Sequence, residues 1–264
     1  MWSAWADTLT IHMFCSTDLA ARIERAERRL VASAVARVRQ RVPDTFTADI
    51  AGGFVACTEP GSPLNKAVGL GFAPFDAAAW AAVEAEHTRR EAPLQVELST
   101  LADPALAHEL TGRGFRLVNF ENVSGRPLGP GERPAMPPGL VVDVCPAHAI
   151  ERWLDVIVTG FCTPDTQGVA SHEAYDRALI AGIVRDFASA DGVTLFLATR
   201  AGELAGAASM RLDDGVAQLL NLGWPLRDRV SRAGHDLLSV KVREVAKIFS
   251  ARLVEIGIVS PGRL

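Results

Sequence analysis

Apolar residues recur at Leu19, Ile23, Ala26, Leu30, Ala34 and Val38, a spacing that predicts a helix over residues 19–41 with one buried face, a solvated charged face and Asp18 as its cap. Runs at 46–50, 54–58 and 67–72 read as strands, separated by Gly52-Gly53 and by Pro60-Gly61-Ser62-Pro63. A helix is expected at about 75–90 and an alternating strand at 94–98. Asp103-Pro104 then opens a helix that ends near Gly112, before a strand at 115–122. Strands alternating with helices predict an α/β layer.

Between Ser124 and Gly139 the stretch SGRPLGPGERPAMPPG is too rich in glycine and proline for a helix or a central strand, and it reads as a linker. The pattern therefore divides the chain into 13–124, a linker at 125–139, and 140–264, with residues 1–12 read as an extension. The second part opens with a strand at 140–144 and a helix at 147–158. Another helix starts near Ser171 and carries Tyr175, Leu179, Ile183 and Phe187. VTLFLATR (193–200), LAGAASMRL (204–212) and VAQLLNL (216–222) form a meander, turning at Ala201-Gly202 and at Asp213-Asp214-Gly215. The third run feeds PLRDRVSRAG (225–234), then a helix with an apolar stripe through Leu237, Val242, Val245 and Phe249, and a last strand at 252–259. No helix follows that strand, so one sheet edge is expected to need a cover. A partner chain or the first half could supply it; alternatively, the ending marks an interrupted or decayed domain.

Composition narrows the class. The 264 residues are 48% hydrophobic and 22% charged, which fits a globular chain with a large core. With 27 Lys and Arg against 31 Asp and Glu, the net charge of -4 gives no global field for nucleic acid or anionic lipid. The four cysteines, Cys15, Cys57, Cys145 and Cys162, are widely spaced and form no metal or disulfide pattern. No secretory leader or membrane span is read, so a cytoplasmic protein is expected. Hydrolase and nucleotide-binding motifs are absent: there is no GxSxG elbow, Walker loop or dinucleotide fingerprint.

A strand that feeds a basic loop at a helix start offers backbone N–H groups and positive charge to a phosphate. Beside a meander, that unit points to acyl-coenzyme A. Several segments carry a family resemblance: GGFVACTEPGSPLNKAVGLGF from Gly52, VELSTLADPALAHELTGRGFRLVNFENV from Val96, and GELAGAASM in the meander. Both parts resemble the Gcn5-related N-acetyltransferase (GNAT) fold, arranged in tandem as in a group of bacterial two-domain proteins. The resemblance implies an α/β fold of two GNAT-like domains, each a mixed, mostly antiparallel sheet flanked by helices. It also implies acetyl transfer from acetyl-CoA to an amine of a small molecule or a protein.

Carried over residue by residue, the resemblance puts the pyrophosphate loop at Arg229, Val230, Ser231, Arg232, Ala233 and Gly234, with Arg227 beside it. Arg232 stands where the family has an inner glycine, so a guanidinium replaces close backbone approach. A backbone N–H of Leu220, Asn221 or Leu222 would polarise the thioester. The family's frequent tyrosine acid lies beyond the last strand, and here Tyr175 is the chain's one tyrosine, a candidate acid whose phase with Leu179 and Ile183 favours a core role. His172 and Glu173, at the same helix start, are the candidate proton acceptors. Asn65, Gly69 and Gly71 each read either as turn and strand geometry or as ligand contacts. The first half shows no basic glycine loop and is expected not to bind coenzyme A. Two functions stay open: an N-acetyltransferase with its acceptor between the halves, and a noncatalytic binding or scaffolding protein. A homodimer is one expected cover for the last strand's edge.

Overall fold

The computed structural model describes residues 15–120, 122–127, 138–163, 175–223 and 254–259. Helix α1 (Thr17–Arg41) is capped by Ser16, whose side chain accepts from the Leu19 N–H. Asp18 therefore lies inside the first turn, where a carboxylate complements the helix dipole, and not at the cap. The helix is buried on two adjacent faces. Val31, Val35 and Val38 meet Phe54, Ala56, Leu64 and Val68 of the first half. On the neighbouring face Ala26 packs on Val216, and Leu30 and Ala34 on Ala190, all in the second half. The charge expected to be solvated instead forms ion pairs with both halves: Arg28–Asp49 at 2.7 Å, Arg29–Asp213 at 2.9 Å and Arg37–Asp191 at 2.8 Å. Arg41 bridges Glu59 and the buried Asp186.

The first sheet holds β1 (Phe46–Ile50), β2 (Gly53–Cys57), β3 (Lys66–Val68) and β4 (Gln95–Val96) in that order, antiparallel except for the parallel pair β3–β4. β3 is shorter than its apolar run because Gly69 turns the chain at φ 73°. α1 presses on this turn, and a Cβ on Gly69 would stand 3.1 Å from the Glu24 carbonyl oxygen. On the opposite face α2 (Ala77–Arg89) and α3 (Pro104–Gly112), capped by Asp76 and Asp103, bury Trp80, Val83, Leu106 and Leu110 against Ile50, Val55 and Ala67.

The second sheet has the order β5-β10-β9-β8-β7-β6. Its strands are β5 (Asn122–Pro127), β6 (Leu140–Val144), β7 (Val193–Arg200), β8 (Glu203–Asp213), β9 (Val216–Gly223) and β10 (Val254–Val259). α4 (Ile150–Cys162) and α5 (Arg177–Ala188) bury Trp153, Ile157, Ile180 and Val184 against the face carrying Leu204 and Ala207. The expected α/β class holds: two mixed, mostly antiparallel sheets flanked by helices.

β5 departs from expectation. Residues 115–120 form no strand; the strand starts at Asn122, runs into the stretch expected to be linker, and pairs antiparallel with β10 from Asn122↔Val259 to Pro127↔Val254. A proline is tolerated there because β5 is an edge strand and Pro127 is its last residue. The edge of β10 is thus covered from within the chain, and the reason for expecting a second copy there disappears.

Candidate functional site

Parallel pairing of β9 with β10 runs from Val216↔Val254 to Leu219↔Gly257 and stops. β9 continues along β8 to Gly223, while β10 continues along β5 to Val259, so the two strands part after Leu219 and Gly257. A wedge opens there, edged on one side by the backbone of residues 220–223. The cause lies in β9: Ser209 faces Leu220 but Ala207 faces Gly223, so Asn221 and Leu222 stand opposite Ala208 alone. Such a bulge bends its strand and interrupts the ladder. Side chains serve the carbonyls around it. Trp153, fully buried, donates its Nε1–H to the Ala208 oxygen at 2.9 Å, and the Ser209 hydroxyl donates to the Leu220 oxygen at 3.2 Å.

The face of β9 that carries Val216, Gln218 and Leu220 looks toward α1. Gln218, 3% exposed, donates from Nε2 to Glu27 Oε2 at 3.0 Å, and its Oε1 accepts from Arg211 Nη1 at 3.5 Å. Arg211 is itself fixed by the carbonyls of Asp191 and Ala26 at 3.0 and 3.3 Å and by Asp213 at 3.4 Å. A chain of polar contacts therefore ties a first-half carboxylate to the second sheet, one residue before the wedge opens. Burial pushes Glu27 up to about 7, and Glu97 adds to this against the opposing Lys66, Arg211 and Gln218. Glu24 is likewise raised to about 7 by burial and by Glu27 and Glu97, opposed by a hydrogen bond from the Gly69 backbone.

The structure brings together the backbone of Leu220, Asn221 and Leu222 at the wedge. His172 and Glu173 lie outside the described residues, as do Arg227, Arg229, Val230, Ser231, Arg232, Ala233 and Gly234. Tyr175 precedes the Asp176 cap of α5, not within a helical stripe, and packs partly buried against the Trp153 cluster. Asn65 clamps a turn: its Oδ1 accepts from the Thr58 N–H at 2.7 Å and its Nδ2 donates to the Glu59 oxygen at 2.9 Å. Protein, not open space, meets Gly69 and Gly71; a Cβ on Gly71 would lie 2.6 Å from Ala102 Cβ. Asp213 does more than turn the chain, since it also pairs with Arg29 and Arg211.

Sequence reasoning missed Glu24, Glu27, Arg211 and Gln218. The available signal was an arginine and a glutamine inside the apolar runs of β8 and β9, at positions that register pairs across the sheet. Among the described residues no group of His, Cys, Asp and Glu is placed to hold a metal, and no helix is long and apolar enough to cross a membrane. Two shallow depressions lie on the first half, along α3 and beside the end of α2, and neither is lined by β9 or β10.

Solved Gcn5-related N-acetyltransferases align with most of this chain, and the chain has their fold. It is similar to a GCN5-related N-acetyltransferase from Kribbella flavida, at 17% identity and a TM-score of 0.59, over 88% of this chain and 85% of that one. A tandem GNAT protein from the clavulanic acid biosynthesis pathway matches at 14% identity and a TM-score of 0.53, over 96% and 90% of the two chains. A GCN5-related N-acetyltransferase from Sphaerobacter thermophilus matches at 12% identity and a TM-score of 0.50, over 91% and 87%. By sequence, no family model and no curated protein matches the chain.

Proposed function

We propose that the protein is an N-acetyltransferase that takes its acetyl group from acetyl-CoA and gives it to an amine of a small molecule or a protein. The wedge beside the β9 bulge carries this reading. Among the described residues no strand pairs with this edge of β9 beyond Leu219, and such an edge presents main-chain groups to an extended, amide-containing chain in the manner of an added strand, which suits a pantetheine arm. A thioester at the wedge would meet a backbone N–H of residues 220–222, where negative charge develops as the amine attacks. The segment that follows β9 in sequence, with Arg227, Arg229 and Arg232, supplies positive charge for the phosphates. The acceptor lies between the halves, and the two domains divide near the linker at 125–139.

Arg232 in place of a glycine favours a second reading, a noncatalytic acetyl-CoA-binding protein. Titration calorimetry with acetyl-CoA, followed by thiol release in the presence of amines, separates the two. Binding with turnover is expected; binding without turnover would favour the second reading, and no binding at millimolar ligand would sink both. Arg229→Ala is expected to weaken binding by about 1–3 kcal/mol, as for a charge-assisted phosphate contact, and an unchanged affinity would place the phosphates elsewhere.

A further inference from the structure

We infer that the contact of α1 with β9 is a proton-operated joint between the two halves, closed while Glu27 carries a proton and loosened when it is a carboxylate. Packing sets where the joint opens. The C-terminal half of α1 is buried from both sides, since Val31, Val35 and Val38 share one core with Phe54 and Val68 of the first half and Ile183 of α5, and Arg41 pairs with Asp186. The N-terminal half meets the second sheet through small groups, with Ala26 and the partly buried Ile23 on Val216. Polar ties lie beside them: Gln218 Nε2 to Glu27 Oε2 at 3.0 Å, Arg211 Nη1 to the Ala26 oxygen at 3.3 Å and Arg29 to Asp213 at 2.9 Å. The same stretch keeps its own hold on the first half, through Arg28 to Asp49 at 2.7 Å and to the Gly53 oxygen at 3.3 Å, and through the Gly69 backbone to Glu24. An opening here parts α1 from β9 and pivots at the α5 end.

Closing the joint gathers Glu24 and Glu27 of α1 and Glu97, just after β4, into one junction. The cations that face Glu27 are Lys66 on β3 and Arg211 on β8, and both have other work. Lys66 Nζ lies 2.7 Å from Glu97, and Arg211 lies 3.4 Å from Asp213 and also serves two carbonyls. Arg28, next to Glu27 in sequence, is taken up by Asp49, and β9 offers the uncharged Gln218. Burial and then Glu97 therefore outweigh the two cations, and Glu27 stands at about 7 in place of 4.5. The closed joint thus holds a proton that the open one gives up. Below pH 4.5 both forms keep it; between 4.5 and 7 the open form loses it first, so closure weakens as pH rises and is weakest above 7.

The test places a thiol at the joint of the full chain by Ala26→Cys, a fully buried position, and follows its labelling by an aromatic disulfide reagent from pH 5 to pH 8, with adducts located by peptide mass. The native Cys15, exposed just before α1, is labelled in the same chain and supplies the standard at each pH. Relative to Cys15, the introduced thiol is expected to label on the order of 10²-fold faster at pH 8 than at pH 5. Glu27→Gln in the same background, which still accepts the Gln218 hydrogen bond, should abolish that rise and leave the thiol as protected at pH 8 as at pH 5. A thiol introduced instead by Val38→Cys, at the pivot, should label at pH 8 about tenfold or more slower than the one at the joint. Should Ala26→Cys fail to fold by circular dichroism, Ile23→Cys puts a smaller side chain at the same contact and takes its place. A ratio that stays flat with pH, or a rise undiminished by Glu27→Gln, overturns the joint. So does equal labelling of the thiols at the joint and the pivot, which would mean that the chain opens only as a whole.

Discussion

Glu27 would be more stable as a neutral side chain. Its folded pKa of about 7 stands above the ordinary value of 4.5 because burial disfavours the charge, with Glu97 adding repulsion. Below pH 4.5 both folded and unfolded chains hold the proton and the group costs nothing. Between 4.5 and 7 the unfolded chain releases its proton while the folded one keeps it, so stability falls as pH rises, then levels above 7. Glu24, raised for the same reason, acts in the same direction. Glu27→Gln is therefore expected to match wild type at pH 4 and to exceed it at pH 8 by about 1–3 kcal/mol. Urea midpoints at the two pH values decide this, and coincident midpoints at pH 8 would mean that the carboxylate is well solvated.

At the scale of elements, the bulge in β9 depends on a neighbour that can serve its broken ladder. Trp153 does so from α4 through a donor that phenylalanine lacks. Trp153→Phe leaves the Ala208 carbonyl buried without that bond and is expected to cost about 1–3 kcal/mol in thermal or denaturant unfolding. A loss no larger than that of a surface substitution would show that the bulge holds itself. None of this was legible in VAQLLNL, which reads the same with or without an extra residue in the strand. The meander itself was legible because its turns need residues that accept positive φ: Ala201 and Gly202 at 51° and 81°, Asp214 and Gly215 at 49° and 72°. β5 was not, since Gly125 and Pro127 argue against a strand locally and only pairing with the distant β10 makes one. α1 showed its periodicity but not its second face, because Ala26 and Ala34 are weakly apolar and their burial is decided by what packs on them. Glu24 and Glu27 likewise read as solvated charge, and only the arrival of β9 and Gly69 makes them otherwise.

On the scale of the whole molecule the two halves share structure that neither can leave. α1 puts Val31, Val35 and Val38 into the first core and Ala26, Leu30 and Ala34 against the second half, so the two sheets are packed against one helix. β5 follows α3 in sequence yet forms the edge of the second sheet, beside β10 and hence beside the wedge. Polar contacts repeat the link, as Arg41 joins Asp186 to Glu59 and Arg211 joins β8 to the Ala26 carbonyl. Unfolding the second half alone would expose Leu30, and unfolding the first would expose Val31 and Val35, all at 1% exposure or less. At about 25 cal/mol per Å² of apolar surface, that exposure couples the halves by several kcal/mol. Scanning calorimetry is therefore expected to show one transition, with calorimetric and van't Hoff enthalpies in agreement. Ala34→Arg, which places a charge between α1 and the second half, should split that transition or lower it as a unit by several degrees. Two well-separated transitions in the wild-type protein would count against the shared helix as a structural bond.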